Sequence, residues 1–214
     1  MMNENNHTKS SIADEITYQA EIGVIFKKTL SIAPDGITWK NKHYSLDSIT
    51  QVRCGSVKNS INALPLGTDY TIAFGDKQSE TVISLRRKKV YVAFIEKFWK
   101  AVCVRLTLDI LKTVASGKDV EFGTAVHRLR LKNDGVILVK HKFRGDSVLT
   151  PCSWEQVHTQ SCNGGLNVYV SANKKNYIRL PYIGVPNVHI LEKILNIMHS
   201  EPDIKLLSDL LSNY

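Results

Sequence analysis

The amino-acid sequence predicts a β-rich α+β protein made of two similar units. Each half of the 214-residue chain begins with short apolar segments separated by turn residues and ends with an amphipathic helix. The tight turns Ala33–Gly36 and Asn133–Gly135 occupy corresponding places in the two halves. Because the order of strands followed by a helix occurs twice, we expect an internal duplication of one small fold.

In the first unit, strand-like segments extend from Glu21 to Leu85. Residues 23–32 are apolar apart from a few polar positions and are predicted to form one strand before the turn at Ala33–Gly36. From Val90 to Val114, apolar residues recur every three or four positions. This period predicts an amphipathic helix over residues 86–116, either continuous or interrupted near Thr107.

The second unit repeats this order after Gly117. Strand-like segments lie on both sides of the turn Asn133–Gly135 and continue to Leu180. Asn187 is predicted to be the N-cap of a second amphipathic helix over residues 187–199. We therefore divide the chain into an N-terminal tail (1–17), a first unit (18–104), a second unit (105–200) and a C-terminal tail with a short helix (201–214).

Composition and charge exclude several classes of protein. Hydrophobic residues make up 43% of the chain and charged residues 22%, which is typical of globular rather than disordered proteins. The most apolar stretch, Val90–Val114, carries six charged residues and therefore cannot be a membrane-spanning helix. The N-terminus is polar and the four cysteines form no CxxC pair, so we expect a cytoplasmic protein with free thiols.

This pattern of elements resembles the pleckstrin-homology-like fold, present in tandem. The resemblance implies that each unit is a small antiparallel barrel or sandwich closed by its C-terminal helix. The second unit contains a set of characteristic segments: Arg105–Leu111, Ala115–Gly123, Asp134–Val136, Cys152–Val157 and Val185–Val188. In these segments it resembles a bacterial family of unknown function with such domains, for which no active site can be transferred to this chain.

Signatures of catalysis and of metal binding are absent from the sequence. It contains no GxSxG, Walker, GxGxxG or HExxH motif. The seven histidines have no metal-ligand spacing with one another or with cysteine, and His158 and Cys162 are interpreted as ordinary strand residues. We therefore expect a protein without enzymatic activity, cofactor or metal.

One constellation, a basic hairpin in the second unit, has the residues to bind a ligand. Cations alternate along two predicted strands, and a period of two places each set of three on one face of its strand. If Leu129, Leu131, Ile137 and Val139 face the core, all six cations point to solvent. An anionic ligand or neighbouring carboxylates would relieve their mutual repulsion. The six residues are Arg128, Arg130, Lys132, Lys140, Lys142 and Arg144.

Part of this hairpin resembles a known binding pattern, and the first unit contains two further basic segments. The arrangement Lys132…Lys142-Phe143-Arg144 resembles the basic pattern with which pleckstrin-homology domains hold inositol phosphates. A thinner counterpart in the first unit is Lys28…Lys40-Asn41-Lys42. The run Arg86–Lys89 is another basic cluster, at a helix N-terminus where the dipole disfavours cations. A solvated loop between strand and helix is the favoured interpretation of this run, and a functional basic cluster is the alternative. The alternative interpretation of the basic hairpin is that its cations are ordinary solvated residues on the outer face of an antiparallel sheet.

The leading hypothesis is a non-enzymatic tandem binding or adaptor module that acts through an unidentified protein partner. The alternative is a module that binds anionic lipid or phosphoinositide headgroups through the basic hairpin, at the inner face of the membrane. The sequence argues against a nucleic-acid partner, because only Phe143 offers a ring for stacking beside the basic face. The oligomeric state stays open.

Overall fold

The computed structural model describes residues 15–23, 25–62, 64–140, 147–170 and 173–212, and its contacts divide the chain into two units. One unit comprises Met1–Val52 and Val57–Arg105, and the other comprises Arg53–Ser56 and Leu106–Tyr214. The predicted β-rich α+β class is confirmed, since the described residues form four small antiparallel sheets accompanied by helices. None of the helices in the described ranges has the length and apolar character needed to cross a membrane.

The first unit contains a four-stranded sheet, a three-stranded sheet and a helical segment. The four-stranded sheet follows chain order and consists of β1 (Tyr18–Ile22), β2 (Lys28–Ala33), β3 (Gly36–Trp39) and β4 (Lys42–Tyr44). The three-stranded sheet consists of β5 (Gln51–Ile61), β6 (Leu64–Gly75) and β7 (Glu80–Leu85), although residues 53–56 of β5 are grouped with the second unit. A 3₁₀ turn at Leu46–Ser48 connects the two sheets.

The helical segment begins in the first unit and consists of α1 (Lys88–Phe98), a π-helical turn (Trp99–Cys103) and α2 (Val104–Ala115). The predicted helix is therefore present, with its irregularity just before Val104 rather than at Thr107. The core of the first unit is aromatic: the Phe98 ring lies 5.8 Å from the Phe94 ring and 6.0 Å from the Phe74 ring. All three phenylalanines are buried.

The second unit repeats the same order of elements. Its four-stranded sheet consists of β8 (Val120–Gly123), β9 (His127–Lys132), β10 (Gly135–Lys140) and β11 (Val148–Ser153). After a 3₁₀ turn at Trp154–Gln156, the three-stranded sheet consists of β12 (Val157–Cys162), β13 (Gly165–Val170) and β14 (Asn173–Pro181). Two helices follow, α3 (Val188–Ser200) and α4 (Leu207–Ser212).

The core of the second unit is mainly aliphatic, with Phe122 and Trp154 also buried, and a turn residue helps to close it. Six of the thirteen residues of α3 are buried, together with the inward-facing residues of both sheets. The carbonyl of Asn133 accepts hydrogen bonds from Trp154 Nε1 (3.2 Å) and from the Leu207 amide (2.9 Å). The Asn133 side chain accepts a further bond from the Ser208 amide. The turn between β9 and β10 therefore holds both the buried indole and the C-terminal helix α4.

Three predictions from the sequence concern the barrel, the N-cap of the second helix and the cysteines. We expected a small barrel or sandwich in each unit. The described strands of the two sheets form no hydrogen-bonded pair with one another, so no closed barrel is present. Asn187 precedes α3 as predicted, but it adopts a left-handed conformation (φ 61°) without a side-chain capping bond. None of the four cysteines forms a disulfide bond, as predicted.

Candidate functional site

The register of the basic hairpin differs from the arrangement that the sequence predicted. Arg130 lies directly opposite Ile137, and Arg128 lies directly opposite Val139. Residues paired in this way in antiparallel strands point to the same side of the sheet. The expectation that Ile137 and Val139 face the core on the side away from the arginines is therefore wrong. Val139 is buried, but it projects from the same face as Arg128.

Lys140 lies on the opposite face of the hairpin from the arginines. It is two residues beyond Leu138, which pairs with the core residue Leu129, and alternate residues of a strand share a face. The expected single face of cations is therefore divided. Burial lowers the pKa of Lys140, and its Nζ lies 5.8 Å from the centre of the Tyr177 ring.

The two arginines of β9 are paired with carboxylates. Arg130 Nη2 lies 3.0 Å from Glu121 Oε1, and Arg130 Nε lies 3.7 Å from Asp119 Oδ2. Arg128 Nη1 lies 3.4 Å from Glu121 Oε2. Lys132 is half-buried on the same face. Either an anionic ligand or neighbouring carboxylates could relieve the repulsion among the cations of this hairpin. Because the carboxylates are present, the argument for an anion site here is weaker.

The remaining members of the predicted basic pattern have different fates. Lys142 and Arg144, with Phe143 between them, lie outside the described residues. In the first unit, Lys28 of the thinner counterpart begins β2, whereas Lys40, Asn41 and Lys42 lie at the tight turn between β3 and β4. Lys40 Nζ lies 5.6 Å from the centre of the Trp39 ring. These positions therefore add no described anion-binding group to the hairpin.

A different surface stands out in the first unit, at the loop between β1 and β2. Ile25 and Phe26 are 85% and 82% exposed, the highest values among the exposed large apolar residues of the described chain. Gly23 permits this loop with a φ of +107°, and a Cβ there would lie 2.4 Å from the Phe26 carbonyl oxygen. The loop thus presents two adjacent apolar side chains to solvent, and exposed apolar patches rimmed by polar residues are typical of interaction sites.

Cations surround this loop, and we call the whole set the basic apolar tip: Ile25, Phe26, Lys27, Lys28 and Arg86–Lys89. A depression of about 340 Å³ is lined by Ile22 and Gly23 on one side and by Ser84–Arg87 and Val90 on the other. Lys27 pairs with Glu21 at 2.7 Å, and Arg86, which is 90% exposed, lies 3.6 Å from Asp69. The tip therefore combines exposed apolar residues with an excess of positive charge.

Sequence reasoning missed this tip because it assigned residues 23–32 to one strand. In the structure β2 begins only at Lys28, and the preceding apolar residues form the loop. The available signal is a glycine followed by three apolar residues and two lysines (residues 23–28), with Arg86–Lys89 at the end of another strand. That spacing alone does not show that the two segments border one depression.

Neither a metal centre nor a known relative supplies a function. Within the described ranges, no group of three or more His, Cys, Asp or Glu side chains is placed to hold a metal ion. No protein-family model matches the chain, and no curated protein sequence matches it significantly. The functional proposal therefore rests on the surfaces of the two units.

Proposed function

We propose that the chain is a non-enzymatic binding module of two pleckstrin-homology-like units, whose first unit docks on an anionic membrane surface. Support for the fold assignment comes from the order of elements, which is four strands, three strands and a helix in each unit. Fold alone does not determine function. The docking proposal therefore depends on the basic apolar tip.

The observation that carries the proposal is the exposure of Ile25 and Phe26 beside a cluster of cations. Apolar side chains on a protruding loop can enter the boundary between lipid headgroups and acyl chains, while nearby cations are attracted to anionic lipids. Full burial of such a side chain is worth about 1.5–3 kcal/mol. A cation at the surface of an anionic membrane is worth about 1 kcal/mol. Two apolar residues and several cations are enough for reversible binding.

Charge pairing supports the first unit over the second as the membrane-facing part. Among the described residues, no carboxylate forms an ion pair with Lys28, Arg87, Lys88 or Lys89. Arg128 and Arg130 of the second unit are already paired. An anionic surface would therefore gain more from the tip than from the predicted basic hairpin.

A protein partner is the second candidate, favoured by a specific surface of the second unit. Ile137, Leu149 and Pro151 share the outer face of β10 and β11 with the buried Val139, and Ile137 is half-buried. Leu149 is 56% exposed and Pro151 is also exposed. Protein interfaces commonly combine an apolar centre with a polar rim. The arginines beside this strip are already paired with Glu121 and Asp119, so they attract a lipid surface less than unpaired cations do.

Sedimentation with vesicles tests the membrane proposal. The wild-type protein is mixed with phosphatidylcholine vesicles that contain or lack phosphatidylserine, and the bound fraction is measured. The variant Ile25→Ser/Phe26→Ser should bind the anionic vesicles at least about tenfold more weakly, which corresponds to a loss of 1.4 kcal/mol. The matched control is Leu64→Ser/Leu66→Ser, which removes two apolar residues of the same unit that are 69% and 62% exposed.

The control should bind as the wild type does, and neither double variant should change the unfolding midpoint appreciably. Wild-type protein that ignores phosphatidylserine would overturn the proposal. Equal binding by the wild type and by the Ile25→Ser/Phe26→Ser variant would overturn the role of the tip. Charge dependence is checked with added salt, which should weaken binding because it screens exposed charges.

A further inference from the structure

The outer face of the three-stranded sheet in the second unit carries two rows of side chains that can bind a ligand. The register places Tyr169 directly opposite both His158 and Tyr177, which gives a row of three aromatic rings across the strands. The next row in register is Gln160, Asn167 and Arg179. Directly opposite residues share a face, so both rows belong to one surface, which we call the aromatic sheet face.

The rings of this face are held at its surface. The His158 and Tyr169 rings stack at 5.7 Å with an angle of 28° between their planes. Tyr177 is 46% exposed, and Lys140 Nζ lies 5.8 Å from the centre of its ring. Three strands about 4.8 Å apart give a row about 10 Å long, enough for one or two flat rings to stack. The row therefore offers a platform with a cation at one end.

A depression of about 420 Å³ lies over this surface, lined by Thr159, Gln160, Asn167, Tyr169 and Tyr177. Asn167 Nδ2 donates to Cys162 Sγ at 3.1 Å, while its buried Oδ1 has no hydrogen-bond partner in the described part of the chain. Turning this amide towards the depression would break only the bond to Cys162. Asn167 can therefore offer both a donor and an acceptor to a bound molecule.

Two cations border the aromatic sheet face. Arg179 lies in the second row, and Lys140 lies beside Tyr177 at the end of the first row. The Glu192 carboxylate also contacts this sheet, but it accepts hydrogen bonds from Tyr182 and from Ser161, which is opposite Leu166 on the other face. The Arg179 guanidinium is held by a hydrogen bond from Nη2 to the Asn163 carbonyl. An uncharged saccharide could use the rings and amides, but it would gain nothing from the cations. A ligand with flat rings and negative charge would use the aromatic rings, the amides and the cations.

We propose that the aromatic sheet face binds a segment of single-stranded nucleic acid, with bases stacked on Tyr169 and Tyr177 and phosphates drawn to Lys140 and Arg179. Base stacking on aromatic residues combined with a positive groove is the general chemistry of such binding. The sequence alone argues against a nucleic-acid partner, because only Phe143 offers a ring beside cations. The pairing of β12, β13 and β14 places further aromatic rings, those of Tyr169 and Tyr177, beside cations. This inference is independent of the proposed membrane contact, since it uses other residues and another chemistry.

Fluorescence anisotropy with a labelled oligothymidine at low salt tests the proposal. Wild-type protein should bind the single strand, and Tyr169→Ala/Tyr177→Ala should weaken binding at least about tenfold, because each stacked base contributes substantially. The variant Tyr169→Phe/Tyr177→Phe keeps the rings and should bind within about twofold of the wild type. A second variant, Lys140→Gln/Arg179→Gln, leaves the rings in place and should reduce the dependence of binding on salt.

Controls separate this site from general polyanion binding and from the membrane surface. Heparin has charge but no bases, so its affinity should not change in Tyr169→Ala/Tyr177→Ala. The Ile25→Ser/Phe26→Ser variant should keep full oligonucleotide binding, so the two proposals can fail separately. No binding of the oligonucleotide by the wild type would overturn the inference. An oligonucleotide affinity that is unchanged in both Tyr169→Ala/Tyr177→Ala and Lys140→Gln/Arg179→Gln, with both variants folded, would also overturn it. A preference for neutral oligosaccharides that depends on Tyr169 and Tyr177 would overturn it as well.

Discussion

Glu121 Oε1 accepts hydrogen bonds from both Nη2 (3.0 Å) and Nε (3.2 Å) of Arg130, so one carboxylate oxygen is shared by two guanidinium N–H groups. The other oxygen of Glu121 lies 3.4 Å from Arg128 Nη1. Hydrogen bonding to Arg130, followed by that to Arg128, holds the pKa of Glu121 below its ordinary value of 4.5. The positive charge that the sequence displays on β9 is thus largely balanced within the second unit.

Replacing Glu121 by glutamine should release this charge. Glu121→Gln should raise the affinity for heparin, because Arg128 and Arg130 become available to an external anion. It should also cost about 0.2–1 kcal/mol of stability at neutral pH, as expected for a largely exposed ion pair. The matched control is Glu155→Gln, which breaks the exposed pair with Lys205 (2.7 Å) elsewhere in the same unit. An unchanged heparin affinity in Glu121→Gln would contradict this account of the hairpin.

The same pair has a defined pH dependence. Because the pKa of Glu121 is lowered in the folded protein, its contribution to stability is present above the ordinary value and is lost as the pH falls through the folded value. Wild-type protein should therefore lose stability on acidification below about pH 4.5 more steeply than Glu121→Gln. Urea unfolding at a series of acidic pH values measures the difference. Parallel curves for the two proteins would show that the pair has no such linkage.

The position of the hairpin was predictable from the sequence, but the faces of its strands were not assigned correctly. The turn residues Asn133 and Asp134 leave Lys132 opposite Gly135. In a two-residue turn, an even-numbered residue on one strand is therefore paired with an odd-numbered residue on the other. Arg130 and Lys140, both even-numbered, must lie on opposite faces. Periodicity within each strand shows which residues share a face, and only the pairing relates one strand to the next.

The helices were the most predictable elements, since the long apolar period from Val90 to Val114 and the shorter one after Asn187 both became helical. The exposed loop at Ile25 and Phe26 was not predictable from hydropathy. Its apolar residues are of the same types as those of a buried strand, and the turn at Gly23 is what makes this segment an exposed loop. The aromatic sheet face was missed for another reason: Tyr169 and Tyr177 come together only through the pairing of β13 with β14.

The aromatic core of the first unit should be highly sensitive to truncation. Phe98 is 2% exposed and its ring contacts those of Phe74 and Phe94. Phe98→Ala should therefore destabilise the first unit by about 3–5 kcal/mol. Val92→Ala, on the same helix but 50% exposed, should change stability by no more than about 0.5 kcal/mol. Urea unfolding of both variants measures this difference, and similar midpoints would show that the ring cluster is not the core.

Tyr182 should make the second unit sensitive to alkali. Burial is the main cause that raises the pKa of Tyr182 to about 12, and its hydroxyl donates to Glu192 Oε2 at 2.9 Å. Since the pKa is about 10 in an unfolded chain, the stabilisation is complete below that value and is lost as the pH rises through about 12. Tyr182→Phe should flatten this alkaline decline. An identical decline in the variant would exclude Tyr182 as its source.

Insertion of the loop tip into the bilayer is the central claim, and fluorescence quenching by bromine on lipid acyl chains measures it most directly. In the variant Phe26→Trp, emission beyond that of the three native tryptophans should be quenched by phosphatidylserine vesicles with brominated chains. The control Leu66→Trp, placed at a residue 62% exposed in the same unit, should show no additional quenching. Vesicle binding without quenching at position 26, or equal quenching at both positions, would contradict insertion of the tip.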